Sequence, residues 1–103
     1  MKTKAVADMI YKTLKENNVN FKEFYVLSRK EWGLPEDCAD FHLLLVMDNG
    51  KKTYKDSYNI YGILEPINDN YEIEIGVIIK DETEFKTSYM KSDFMGTGVH
   101  CVA

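Results

Sequence analysis

The chain has 103 residues, 45% of them hydrophobic, which suits one compact domain spanning residues 1–103 around one core. Its formal net charge is −4, and its longest basic run is Lys51-Lys52. That balance argues against direct DNA binding, because neutralising a phosphate backbone needs clustered Lys and Arg.

Thr3 to Asn17 reads as a helix. Val6, Met9, Ile10, Thr13 and Leu14 recur at helical spacing, and Asn17-Asn18 stops it, since Asn tolerates the left-handed conformation of a helix end. Phe21 to Leu27 is strand-like. Phe41 to Met47 is a continuous apolar run, which predicts a strand buried on both faces. Asp48-Asn49-Gly50-Lys51 signals a turn. Thr53 to Leu64 has helical spacing, with Tyr54, Tyr58, Tyr61 and Leu64 as a packing stripe and Pro66 as its stop. Asn68-Asp69-Asn70 reads as a turn and Tyr71 to Ile79 as a third strand. Asp81 to Met90 reads as a helix, with Asp81 as N-cap and Glu84 as the capping-box acid. The tail, SDFMGTGVHCVA, reads as a loop and then a short strand. The sum is an α+β, or mixed α/β, domain with a small sheet and helices packed on one face.

No apolar stretch approaches a membrane span, and MKTKAVADMIYKTLKENN lacks the apolar core of a signal peptide, so a cytoplasmic location is expected. Cys38 and Cys101 share no metal-type spacing, which favours two reduced thiols over a zinc site.

Strand alternation places Asp40, His42 and Leu44 on one face of the second strand, and Glu72, Glu74 and Gly76 on one face of the third. If the two strands are neighbours, Asp40, His42 and a glutamate converge. Such a set would hold Mn²⁺ or Zn²⁺ better than Mg²⁺, which prefers oxygen ligands alone. On spacing alone, solvated strand-end acids and a structural histidine are the commoner outcome.

Phe24-Tyr25-Val26-Leu27-Ser28-Arg29, then Gly33, then Asp40-Phe41-His42-Leu43-Leu44-Leu45-Val46, then Tyr71-Glu72-Ile73-Glu74-Ile75 follow one another in an informative order. Glu84-Phe85, Ser92-Asp93-Phe94 and Gly98-Val99 extend the pattern. The whole resembles the minimal nucleotidyltransferases of the DNA polymerase β superfamily. In that family an apolar strand ends in Gly-Ser, a second strand opens Asp-x-Asp, and a later strand carries a third acid. The resemblance implies a nucleotidyltransferase-like fold. It implies nucleotide binding by Ser28, Arg29 and Gly33, catalytic roles for Asp40 and Glu72 or Glu74, and a metal set of Asp40, His42 and Glu74 that takes Mg or Mn if the site is active.

The departures fall where the chemistry would be. Leu27 replaces the glycine that lets backbone N–H groups approach phosphate, and His42 replaces the second aspartate that would share two metal ions. A degenerate member, a pseudoenzyme acting through protein contacts, is therefore expected. The family precedent for partners is a HEPN-type helical protein in a toxin–antitoxin module, or a homodimer. The alternatives are an active enzyme that moves a nucleoside monophosphate from NTP to a hydroxyl acceptor, and a nucleotide sensor without turnover.

Overall fold

A computed structural model describes residues 2–48, 54–88 and 99–102. The elements run α1 (Thr3–Glu16), β1 (Glu23–Ser28), α2 (Arg29–Trp32), β2 (Phe41–Met47), α3 (Tyr54–Tyr71), β3 (Ile75–Asp81), α4 (Glu82–Thr87) and β4 (Val99–Val102). The four strands form one sheet in the order β3-β2-β1-β4. β1 is antiparallel to both β2 and β4, and β2 is parallel to β3. A parallel pair needs a crossover, and α3 supplies it.

Side-chain alternation divides the apolar residues between the two faces of the sheet. Phe24 and Val26 of β1, with Phe41, Leu43, Leu45 and Met47 of β2, face α1 and α3 and form the larger core with Val6, Ile10, Leu14, Ile60, Leu64 and Ile67. Tyr25 and Leu27, with Leu44 and Val46, form a second cluster on the opposite face, where Phe85 of α4 and Trp32 of α2 cover them. β2 is thus buried on both sides, as its unbroken apolar run predicts. Helices packed on one face alone is corrected. The short helices α2 and α4 lie on the second face, because Leu27, Leu44 and Val46 need cover as much as the first face does.

Several local expectations change. Pro66 does not end α3, which continues to Tyr71. Proline costs a helix the bond to the carbonyl four residues back and a clash there. That residue is Gly62, exposed and with open space around it. The packing stripe of α3 is Ile60, Ile63, Leu64 and Ile67, whereas Tyr58 and Tyr61 are 83% and 45% exposed. The third strand starts at Ile75, four residues later than expected, because α3 and its cap take up the residues before it. The helix after β3 ends at Thr87, and Asp81 and Glu84 form its capping box as expected. The turn after Asp48, the tail loop and the 92–94 motif fall on or run into residues outside those described.

Candidate functional site

The end of β1, the loop before β2 and the start of β3 meet at one end of the sheet. Leu27 lies opposite His42 in the β1–β2 register, Ser28 lies opposite Phe41, and the Arg29 N–H donates to the Asp40 carbonyl at 2.9 Å. Parallel pairing sets His42 beside Gly76. The sequence therefore brings Ser28, Arg29, Asp40 and His42 into one neighbourhood.

Each of these groups is already engaged within the chain. Ser28 is the N-cap of α2. Its hydroxyl accepts from the Glu31 N–H at 3.1 Å, and its own N–H donates to Glu31 Oε1 at 3.0 Å. The Thr3 hydroxyl donates to the same carboxylate oxygen at 2.6 Å. The Ser28 N–H, a donor that could meet a phosphate at the start of α2, is thus satisfied by an internal carboxylate. Burial raises the Glu31 pKa, but the bonds from Thr3 and Ser28 outweigh it and hold the group below its ordinary value. Gly33 has φ +75° and is the left-handed C-cap of α2. Its N–H donates to the Lys30 carbonyl and that of Leu34 to Arg29, so its freedom serves helix termination.

Asp40 is held from two sides. Its Oδ2 accepts the Glu74 N–H at 2.9 Å, and its Oδ1 lies 3.5 Å from Arg29 Nη1. Arg29 also donates to the carbonyls of Glu36 and Cys38, which ties the loop down. His42 meets Trp32 edge-on, with ring centroids 5.1 Å apart, and a Cβ at Gly76 would lie 3.0 Å from His42 Nδ1. The imidazole thus fills the space beside the glycine. Its Nε2 is buried without a hydrogen-bond partner among the described residues. Burial pushes its pKa down, opposed by a bond to the Ala39 backbone.

The predicted acids of the third strand do not join this group as side chains. Glu72, at φ 53°, closes α3, where the Ile73 N–H donates to the Asn68 carbonyl. Glu74 precedes β3, is exposed, and contributes its backbone: its N–H to Asp40 and its carbonyl to the Phe41 N–H. Among the described residues no group of three or more His, Cys, Asp and Glu side chains is arranged to hold a metal ion. The expected set of Asp40, His42 and Glu74 is therefore not assembled. The physical reasons are the engagement of Asp40 by Arg29 and the Glu74 N–H, and the tucking of His42 under Trp32.

Ser28, Arg29 and Asp40 also line a cleft of about 720 Å³ with Lys2, Lys4 and Lys30. It opens at the start of α1, which has no acid in its first turn and no side-chain cap. Sequence reasoning missed Glu31 as the internal occupant of α2. The signal was present, since Ser28-Arg29-Lys30-Glu31 spells a capping box. It could not have found Thr3, whose contact with Glu31 depends on how α1 packs. Among the described residues no helix is long and apolar enough to cross a membrane. No family model matches the chain, and neither does any curated protein or solved structure.

Proposed function

We propose that this chain is a nucleotidyltransferase-like domain whose catalytic site is closed by its own side chains, and that it acts through contacts with another protein, as an antitoxin-like or partner-binding subunit. The observation that carries this reading is the occupation of both halves of the site. The Glu31 carboxylate accepts the Ser28 N–H that would meet phosphate, the Ser28 hydroxyl accepts the Glu31 N–H, and Asp40 is committed to Arg29 and the Glu74 N–H. A two-metal displacement needs free carboxylates on neighbouring strands, and here Gly76 stands beside His42.

The test is incubation of the purified chain with labelled ATP, CTP, GTP or UTP and Mn²⁺, with and without its co-purifying proteins. No incorporation, together with a stable complex or homodimer in gel filtration with light scattering, is expected. Incorporation that disappears in Asp40→Ala would overturn the reading. Nucleotide binding without turnover is the second reading, and the cleft that Lys2, Lys4, Arg29 and Lys30 line with Ser28, Glu31 and Asp40 favours it. Calorimetric titration with ATP separates the two, since a sensor releases heat and saturates, and a closed site does neither.

A further inference from the structure

The strand order leaves β3 at one edge of the sheet. The bond from the Phe41 N–H to the Glu74 carbonyl sets the phase of that edge. Gly76, Ile78 and Lys80 turn their backbone groups towards β2, so Val77, Ile79 and Asp81 turn theirs outward. Two of the outward N–H groups are met by side chains. Val77 donates to the Tyr61 hydroxyl at 3.0 Å, and Asp81 donates to Glu84 Oε1 at 3.2 Å. Ile79, between them, has no acceptor among the described residues. The strand is apolar from Ile75 to Ile79 and half-buried from Gly76 onward. Open backbone groups on an apolar edge are a template for an added strand, and the Tyr61 hydroxyl stands where the carbonyl of such a strand would lie.

The adjoining helix gives this edge a charge. Tyr58, Tyr61, Glu65 and Asp69 follow one another at spacings of three and four, so they share one stripe of α3, and all four are exposed. The bond from Val77 to Tyr61 sets that stripe beside the β3 edge. Between Lys55 and Lys80 there is no basic residue, whereas the stretch carries the acids Asp56, Glu65, Asp69, Glu72 and Glu74. The side chains of Glu65, Asp69, Glu72 and Glu74 have no ion-pair partner among the described residues.

We propose that the β3 edge and the Tyr58–Asp69 stripe of α3 form a docking surface for a basic, extended segment of a partner protein. The segment adds to the sheet as a strand, with its Lys or Arg side chains against Glu65 and Asp69. Main-chain bonds supply affinity in this mode of recognition, exposed tyrosines are favoured anchors, and the unpaired acids select the sign of the partner. The inference rests on the reading that the chain acts through protein contacts, and it names the chemistry of the contact.

The probe is a fluorescein-labelled alternating Lys-Val octapeptide, with an alternating Glu-Val octapeptide as control, titrated with the full chain by fluorescence anisotropy. The Lys-Val peptide is expected to bind and the Glu-Val peptide is not. Tyr61→Phe frees the Val77 N–H and is expected to bind about 2- to 10-fold more tightly, the worth of one hydrogen bond. Val77→Pro removes only an outward N–H of an edge strand, which leaves the β2 ladder intact, and is expected to weaken binding by a similar factor. Circular dichroism checks that each variant is folded, and if Val77→Pro is not, Tyr61→Phe decides. Equal binding of the two peptides, or the same affinity in the wild type and Tyr61→Phe, would overturn the proposal. So would a homodimer of the free chain that Val77→Pro dissolves, since the edge would then serve a second copy. Nucleotide incorporation is measured on the same preparation. Neither binding nor incorporation removes this surface and leaves the closed site standing, whereas incorporation without binding removes both.

Discussion

Leu27 and Asp40 show what single residues contribute at this end of the sheet. Leu27 is fully buried with Tyr25, Leu44, Val46 and Phe85. A side chain in that place contributes to folding in proportion to the apolar area it removes from water. Leu27→Ala is expected to lower stability by about 2–5 kcal/mol, the usual range for a leucine cavity, read as a shift of the urea midpoint at constant slope. A shift below about 0.5 kcal/mol would mean that Leu27 is not part of the packing. Asp40 holds through two bonds of different kinds. The pair with Arg29 is partly solvated and screened, so it contributes little, while the bond from the Glu74 N–H anchors β3 to the loop. Asp40→Asn keeps an acceptor for that N–H and is expected to cost under about 1 kcal/mol. Asp40→Ala removes it and is expected to cost about 1–3 kcal/mol. Equal losses in the two variants would assign the effect to charge.

At the scale of elements, α3 sets the shape of the sheet's edge, and its proline is the least expected part of it. Pro66 is exposed in the helix interior, with Gly62 four residues before it. Pro66→Ala restores an N–H to the helix and is expected to stabilise the chain by about 1–3 kcal/mol, less than the full helix penalty because the unfolded chain also gains freedom. Chemical denaturation measures this, and a loss of stability would mean that the proline shapes α3 in a way the fold depends on. The same helix shows what a sequence can disclose. β2 is legible because the unbroken apolar run Leu43–Met47, with Phe41 before it, has no other use, and α4 because Asp81 and Glu84 stand at capping-box spacing. The end of α3 is not legible, because Pro66 is a local stop that the packing of Ile67 and the capping by Glu72 override. The neighbourhood of Ser28, Asp40 and His42 could be read from alternation and order. The contacts that engage it could not, since they depend on Thr3 reaching Glu31 and on Trp32 meeting His42 edge-on, contacts far apart in sequence or set by how α2 packs.

For the whole molecule, these local environments become a dependence of stability on pH. Burial holds the His42 pKa below its ordinary value of 6.5. Between the folded and unfolded values the unfolded chain binds the proton more readily, so stability is full above 6.5 and falls as the pH drops through that interval. Glu31 and Glu82 are both held below 4.5. In Glu31 burial acts upward and the bonds from Thr3 and Ser28 act downward. In Glu82 the hydrogen bond from Lys22, at 3.0 Å, is the leading cause. Their stabilisation is present above 4.5 and is lost as the pH falls through their folded values. The decline therefore comes in two steps, histidine first and carboxylates second. A third effect opposes the first step, because an acidic chain approaches zero net charge near its pI of about 5.1 and its self-repulsion weakens. The wild type alone cannot separate the two, but His42→Gln loses the histidine step and keeps the charge effect almost unchanged. Urea midpoints measured from about pH 8 to about pH 3 are expected to fall more steeply through the histidine interval in the wild type than in His42→Gln. In Glu31→Gln the second step is expected to be smaller and the first unchanged. Parallel curves for the wild type and His42→Gln down to pH 4.5 would mean that the imidazole reaches water in the folded state, and that Trp32 does not seal it.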